Sequence, residues 1–226
     1  MIAEEVIDNH PLRLLDEETG LPEAELSVVL ARSGVGKSAV LINFALDTLL
    51  RGKRVLHFTA GMDSEKVHDY YQEIFHELSQ NIPQFNGVNW PELNQLLMVI
   101  SYQDANRMVG DLEKELNTLK ENAHLEPTLL VVDGLDGDNA TQENLNTLKA
   151  ISKTYGYKTI ASLTIHRNAN GSVDLDRPSE LVQSHSSHLY FLEPAGDKIK
   201  VEFMTDNGLK SLPIYFCPND LIFKKE

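Results

Sequence analysis

One cysteine, Cys217, stands among 226 residues, so the chain forms no internal disulfide. That usage fits a reducing cytoplasm, and its place in Tyr215-Phe216-Cys217 favours packing over reactivity. Long apolar runs are missing too: none approaches the ~20 residues that cross a bilayer, so no membrane span is expected. The opening Met1-Ile2-Ala3-Glu4-Glu5 is acidic, unlike a secretory leader. Basic charge is scarce, with 20 Lys+Arg against 34 Asp+Glu and a net charge of −14. Such a surface repels phosphate backbones at long range, which disfavours general nucleic-acid binding. The only basic run is Lys224-Lys225. Internal repeats, low-complexity tracts and inter-domain linkers are also lacking. At 42% hydrophobic, the chain can fill the core of one α/β domain over 1–226, with 1–25 as a lead-in carrying turn signals at Gly20 and Pro22.

Against these absences stands one dense motif, Ala31-Arg32-Ser33-Gly34-Val35-Gly36-Lys37-Ser38. The apolar run Leu26-Ser27-Val28-Val29-Leu30 leads in, and Val40, Leu41, Phe44, Ala45 and Leu49 continue at helical spacing. Strand, glycine-rich turn and helix start are the setting of a phosphate-binding loop. Its backbone N–H groups and the helix N-terminus converge on one point and hold polyphosphate oxygens. Gly34 and Gly36 let the backbone curl that closely. Arg32, Ser33, Gly34, Val35, Gly36, Lys37 and Ser38 are therefore the candidate nucleotide-binding residues. Lys37 would reach the outer phosphates, and the Ser38 hydroxyl would ligate Mg2+. Ala31 replaces the first glycine of the usual pattern, a small residue for a small residue.

Further along, strands are expected at 55–58, 96–100, 128–133 and 159–165, and helices at 64–79, 107–122 and 141–155. Gly52 reads as a left-handed helix stop, Gly156 closes the helix at 141–155, and 83–91 reads as loop. A polar loop at 167–177 holds Asn168, Asn170, Gly171 and Asp174. Runs at 188–192, 198–204 and 211–216 have no helix between them and read as antiparallel additions. The alternation of strand and helix predicts a mostly parallel central sheet with helices on both faces.

Asp133 ends the buried run Leu129-Leu130-Val131-Val132. Ligands of open parallel sheets gather at carboxyl ends of strands, where both this aspartate and the loop at 31–38 fall. Asp133 is thus a second candidate metal ligand opposite Ser38, and with Lys37 a candidate catalytic residue. Taken alone, Asp133-Gly134 also reads as a plain turn. Asp136 is a secondary candidate or a loop residue.

Together these stretches resemble the RecA-like P-loop ATPase superfamily, in particular its KaiC-like, RadA-like and DnaB-helicase branch. ARSGVGKS and TLLVVD carry the resemblance. The order of Val55–Met62, of Thr159–Arg167, and of Pro178–Gln183 followed by His188–Leu192 supports it. The resemblance implies an α/β RecA-like domain that binds ATP with Mg2+, often as an oligomer. It also implies positions that this chain lacks. The general-base glutamate after the second strand falls on Gly61 in Thr59-Ala60-Gly61-Met62, with Asp63 and Glu65 just beyond. The sensor glutamine falls near Thr164, two residues before His166. The lysine and arginine that reach a neighbouring subunit fall in Met204-Thr205-Asp206-Asn207-Gly208, which has neither.

Loss of a positioned general base costs ~10²–10⁴ in rate, and loss of an arginine finger ~10³–10⁵. Phosphate binding depends on neither. The expected activity is therefore an ATP-binding protein with slow or partner-activated hydrolysis. The alternative is a non-hydrolysing, nucleotide-gated interaction module. A small-molecule kinase would want lid arginines, and no arginine-rich stretch is present. The expected partners are nucleotide, and a second copy or another protein. Arg167 and Arg177 flank the polar loop, but Asp174 and Asp176 within it do not suit a strand-binding funnel. His185 and His188 have a spacing that two metal ligands can use, without an acidic or thiol partner pattern. Trp90 reads as the cap of an apolar patch.

Overall fold

The computed structural model describes residues 4–19, 25–136, 142–165 and 180–226. Two short helices, α1 (Glu4–Asp8) and α2 (Leu12–Thr19), lie within the expected lead-in. Buried Val6, Leu12 and Leu15 tie them into the core. Segments this short offer too few turns for a helical period to be read. Gly20 and Pro22 lie outside the described residues, as does the whole polar loop at 167–177.

Strand β1 (Leu26–Ala31) enters the glycine-rich loop and helix α3 (Lys37–Leu50) leaves it. Next come β2 (Val55–Ala60), α4 (Ser64–Asn81), a 3-10 turn at Pro83–Phe85 and α5 (Trp90–Asn94). Residues 83–91 are thus not plain loop. Phe85 is buried, and Pro91 sits in the first turn of α5, where its missing N–H costs nothing. Then follow β3 (Leu97–Tyr102), α6 (Ala105–Ala123), β4 (Leu129–Asp136), α7 (Gln142–Tyr155) and β5 (Lys158–Thr164). Asp104 starts α6 earlier than its apolar period announces, by accepting the Arg107 N–H at 2.8 Å. The chain closes with α8 (Glu180–His185), β6 (His188–Ala195), β7 (Lys198–Thr205), β8 (Gly208–Cys217) and β9 (Ile222–Lys225).

These strands form one sheet in the order β3-β2-β4-β5-β1-β6-β7-β8-β9. The first six run parallel and the last three antiparallel. The run at 188–192 is therefore not an antiparallel addition. It pairs parallel with β1, Ser27 to His188 through Leu30 to Phe191, because α8 precedes it and serves as a crossover. A fourth C-terminal strand, β9, was too short to stand out in the sequence.

Alternate strand residues feed two cores. Val29, Ala31, Val131 and Ile160 face the layer of α1 to α4, and Val28, Leu30, Val132 and Ala161 face α6, α7 and α8. Every residue of α3 except Ser38 is buried, the pattern of a helix covered on all sides. The cover comes from α1, α2, α4 and β9. Two polar side chains of α3 find partners there: Asn43 Nδ2 donates to the Leu221 carbonyl at 2.9 Å, and Asp47 forms ion pairs with Arg13 at 2.8 Å and Arg51 at 3.0 Å. A fully sheathed α3 fixes the loop at its N-terminus.

Candidate functional site

Because β1, β2, β4 and β5 run parallel, their carboxyl ends meet at one edge of the sheet. There a cavity of about 330 Å3 is lined by the loop residues Ser33, Gly34, Gly36, Lys37 and Ser38. The ends of the three other strands complete it, through Thr59 to Met62, Asp133 with Gly134, and Ser162 with Thr164. Tyr70 of α4 contributes as well. The sequence motif and the distant aspartate thus share one space. A second cavity, of about 460 Å3, shares Ser33 and Gly34 with the first. It also takes Arg32, Val35 and the β6–β7 turn with Lys198.

Gly34 and Gly36 adopt φ of +77° and +100°, left-handed values that suit glycine. Gly36 caps α3, so the first amides of the helix open into the cavity without intrahelical partners. Lys37 is only 8% exposed, and its ammonium donates to the carbonyls of Ala31 at 3.1 Å and Arg32 at 3.0 Å. Burial lowers the Lys37 pKa, and the Asp133 carboxylate pushes it back up.

Asp133 is 5% exposed and held by a residue that sequence reasoning overlooked. Ser162 of β5 donates to Asp133 Oδ1 and accepts the Gly134 N–H at 2.9 Å. The pairing of β4 with β5 shifts between Val132 and Leu135, a bulge that re-aims this stretch. Gly134 has φ +95°, and a Cβ there would lie 2.5 Å from the Ala60 carbonyl oxygen. Only glycine fits. Ser162 and Thr59 could have been found as polar residues inside apolar strand runs. Tyr70 had no such signal, because it reads as one more helix residue.

The β2 wall is built differently. Thr59 is buried and pairs with Asp133 across the ladder. Below it His57 shares a 3.0 Å hydrogen bond with the Tyr71 hydroxyl, while its Nε2 has no hydrogen-bond partner among the described residues. Burial pushes the His57 pKa down to about 4, against the opposing pull of Asp133. Gly61 is exposed at φ +81°, and nothing lies within 4 Å of where its Cβ would be. Asp63 turns to cap α4, accepting the Lys66 N–H at 2.9 Å, and Glu65 stands exposed on the helix. Neither lines the cavity, whose sole carboxylate among the described residues is Asp133. His166, Arg167 and Arg177 lie outside the described residues. Asp136 ends β4, paired with Thr164.

The remaining sequence signals fall elsewhere. Thr205 to Gly208 make the β7–β8 turn, in which the Thr205 hydroxyl donates to the Gly208 carbonyl at 2.8 Å. His185 ends α8 and hydrogen-bonds Asn146 at 2.8 Å, whereas His188 opens β6 and packs on Phe203, with ring centroids 5.5 Å apart. Among the described residues no cluster of three or more His, Cys, Asp or Glu could hold a metal ion. Trp90 stacks on Tyr71 and packs on Phe75, capping the apolar face of α4 as its sequence context implied. The Cys217 thiol donates to Asp220 at 3.4 Å. No described helix is long and apolar enough to cross a membrane.

Comparison with known proteins agrees with this geometry. A solved structure of a DnaB-like helicase ATPase domain superposes with a TM-score of 0.65 over 96% of this chain and 90% of that one. Identity is 12%, so the likeness is one of fold. Among curated proteins none matches significantly. A family profile described as an AAA domain matches residues 22–166, which holds the glycine-rich loop, Asp133 and the whole of β5. The chain belongs to this AAA domain family, within the RecA-like P-loop ATPase superfamily.

Proposed function

We propose that this protein binds ATP with Mg2+ and turns it over slowly or only when a partner completes the site. One observation carries the reading: Gly34, Gly36, Lys37, Ser38 and Asp133 line a single cavity at the carboxyl edge of the sheet. The left-handed glycines aim loop amides at a phosphate chain, and the Lys37 ammonium would exchange carbonyl partners for phosphate oxygens. Ser38 and Asp133 would hold the metal. This donor set fits Mg2+, a hard cation that takes one or two protein oxygens beside phosphate and water. When bound, the metal supplies neutralisation of phosphate charge. The neighbouring cavity would take the nucleoside, where the Arg32 guanidinium offers a planar stacking surface and Pro194, Ile199 and Pro218 offer apolar contact.

The weak-turnover part rests on the β2 wall. With Gly61 at its mouth and Asp133 the sole described carboxylate, nothing described there would take a proton from attacking water. The same observation favours the second reading, a nucleotide-gated module that does not hydrolyse. The −14 charge speaks for a protein partner or a second copy over nucleic acid. Calorimetry with Mg·ATP tests binding, and Lys37→Ala should weaken it about 10²-fold by removing charge-assisted hydrogen bonds. Phosphate release from the wild-type chain that K37A abolishes supports the ATPase. Tight binding without release supports the module, and no heat at millimolar nucleotide refutes both.

A further inference from the structure

We infer that the Tyr70 hydroxyl reads the terminal phosphate, so that this site distinguishes nucleoside triphosphate from diphosphate through α4. The inference rests on the phosphate-binding reading above and adds to it a residue that the sequence motifs leave unassigned.

The two cavities give the argument a direction. They meet at Ser33 and Gly34. The first contains the ammonium and the metal-type oxygens, which leaves the second for the nucleoside. A phosphate chain entering from the second cavity crosses the loop amides and ends in the first. Its terminal group then faces the far wall, which is formed by Gly61, Met62 and Tyr70. Gly61 has no side chain there, and open space surrounds the position of a Cβ. Among the described residues of this cavity, the titratable groups are Lys37, Asp133 and Tyr70. The first two are engaged, Lys37 by the loop carbonyls and Asp133 by Ser162.

Helix geometry points the same way. Side chains lean toward the N-terminus of their helix and cover the turn before them. Tyr70 lies two turns into α4, so its ring leans back over 63–67 toward the cavity mouth. Its neighbour Tyr71 faces inward to His57, which anchors this part of α4 to β2. Burial, with help from Glu73 and Asp133, raises the Tyr70 pKa. The phenol therefore stays protonated across the physiological range and presents an O–H donor. A neutral donor suits a terminal phosphate, which a carboxylate at the same place would repel.

Calorimetry of the full chain with Mg·AMP-PNP and with Mg·ADP tests this. The wild-type chain should favour AMP-PNP. Tyr70→Phe keeps the packed ring and should weaken AMP-PNP about tenfold while ADP stays within about twofold. Tyr70→Leu, which keeps apolar bulk, should show the same selective loss, and melting temperatures of both variants report on folding. An equal loss for both nucleotides, or none, overturns the inference and leaves the phosphate-binding reading intact. A wild-type chain that binds neither nucleotide removes that reading, and this inference with it.

Discussion

Two walls of one cavity carry different chemistry. The wall of the glycine-rich loop and β4 is furnished with a ring of amides, Lys37, Ser38 and an Asp133 oriented by Ser162 and by a bulge that only Gly134 permits. The wall of β2 and α4 is sparse, ending in Gly61, with Asp63 spent on a helix cap and Tyr70 the polar group that faces inward. Holding a phosphate chain and cleaving it are thus assigned to separate surfaces. One can be kept while the other is reduced, because ground-state grip and transition-state stabilisation are separate free energies.

The comparison is broken most directly by refurnishing the poor wall. Gly61→Glu places a carboxylate at the mouth of the cavity, where open space can receive it. If a missing base limits turnover, single-turnover hydrolysis should rise by ~10²-fold or more with nucleotide affinity little changed. No rise would mean that the poor wall needs a partner, not a residue.

A smaller effect concerns what holds the β2 wall in place. His57 beneath it and His10 in the α1–α2 turn are buried and stay neutral, with pKa values near 4 in the fold. Unfolded histidine protonates near 6.5. Between those values the unfolded chain binds more protons, so stability drops as pH falls from about 6.5 toward 4 and is unaffected above. Each histidine should cost roughly 3 kcal/mol across the window, read from urea midpoints at a series of pH values. His57→Gln should remove about half of that slope. An unchanged slope would move the acid sensitivity away from the β2 wall.

Smaller again is the backbone of the rich wall. Gly134→Ala must relieve both a left-handed φ and a contact with the Ala60 carbonyl, and should destabilise by about 2–3 kcal/mol. It should also weaken Mg·ATP, because Asp133 moves with it. Gly52→Ala shares the left-handed φ without any close neighbour, and should cost about 1 kcal/mol with binding unchanged. Thermal melts of the two variants separate strain at the site from strain alone.

Sequence by itself determined the phosphate loop, the parallel α/β architecture and the pairing of that loop with Asp133. These are local in origin: left-handed glycines, apolar strand runs and helical periods are written in consecutive residues. It missed β9, the parallel sense of β6 and the helices at 4–19, where segments are too short or the crossover too irregular to show a period. Ser162 beside Asp133 and Tyr70 across from Lys37 belong to no motif. Tertiary structure alone decided them, since β5 inserts between β1 and β4, and α4 packs back over the strand ends. Residues far apart in the chain acquire a shared chemistry only when the sheet brings their strands to one edge.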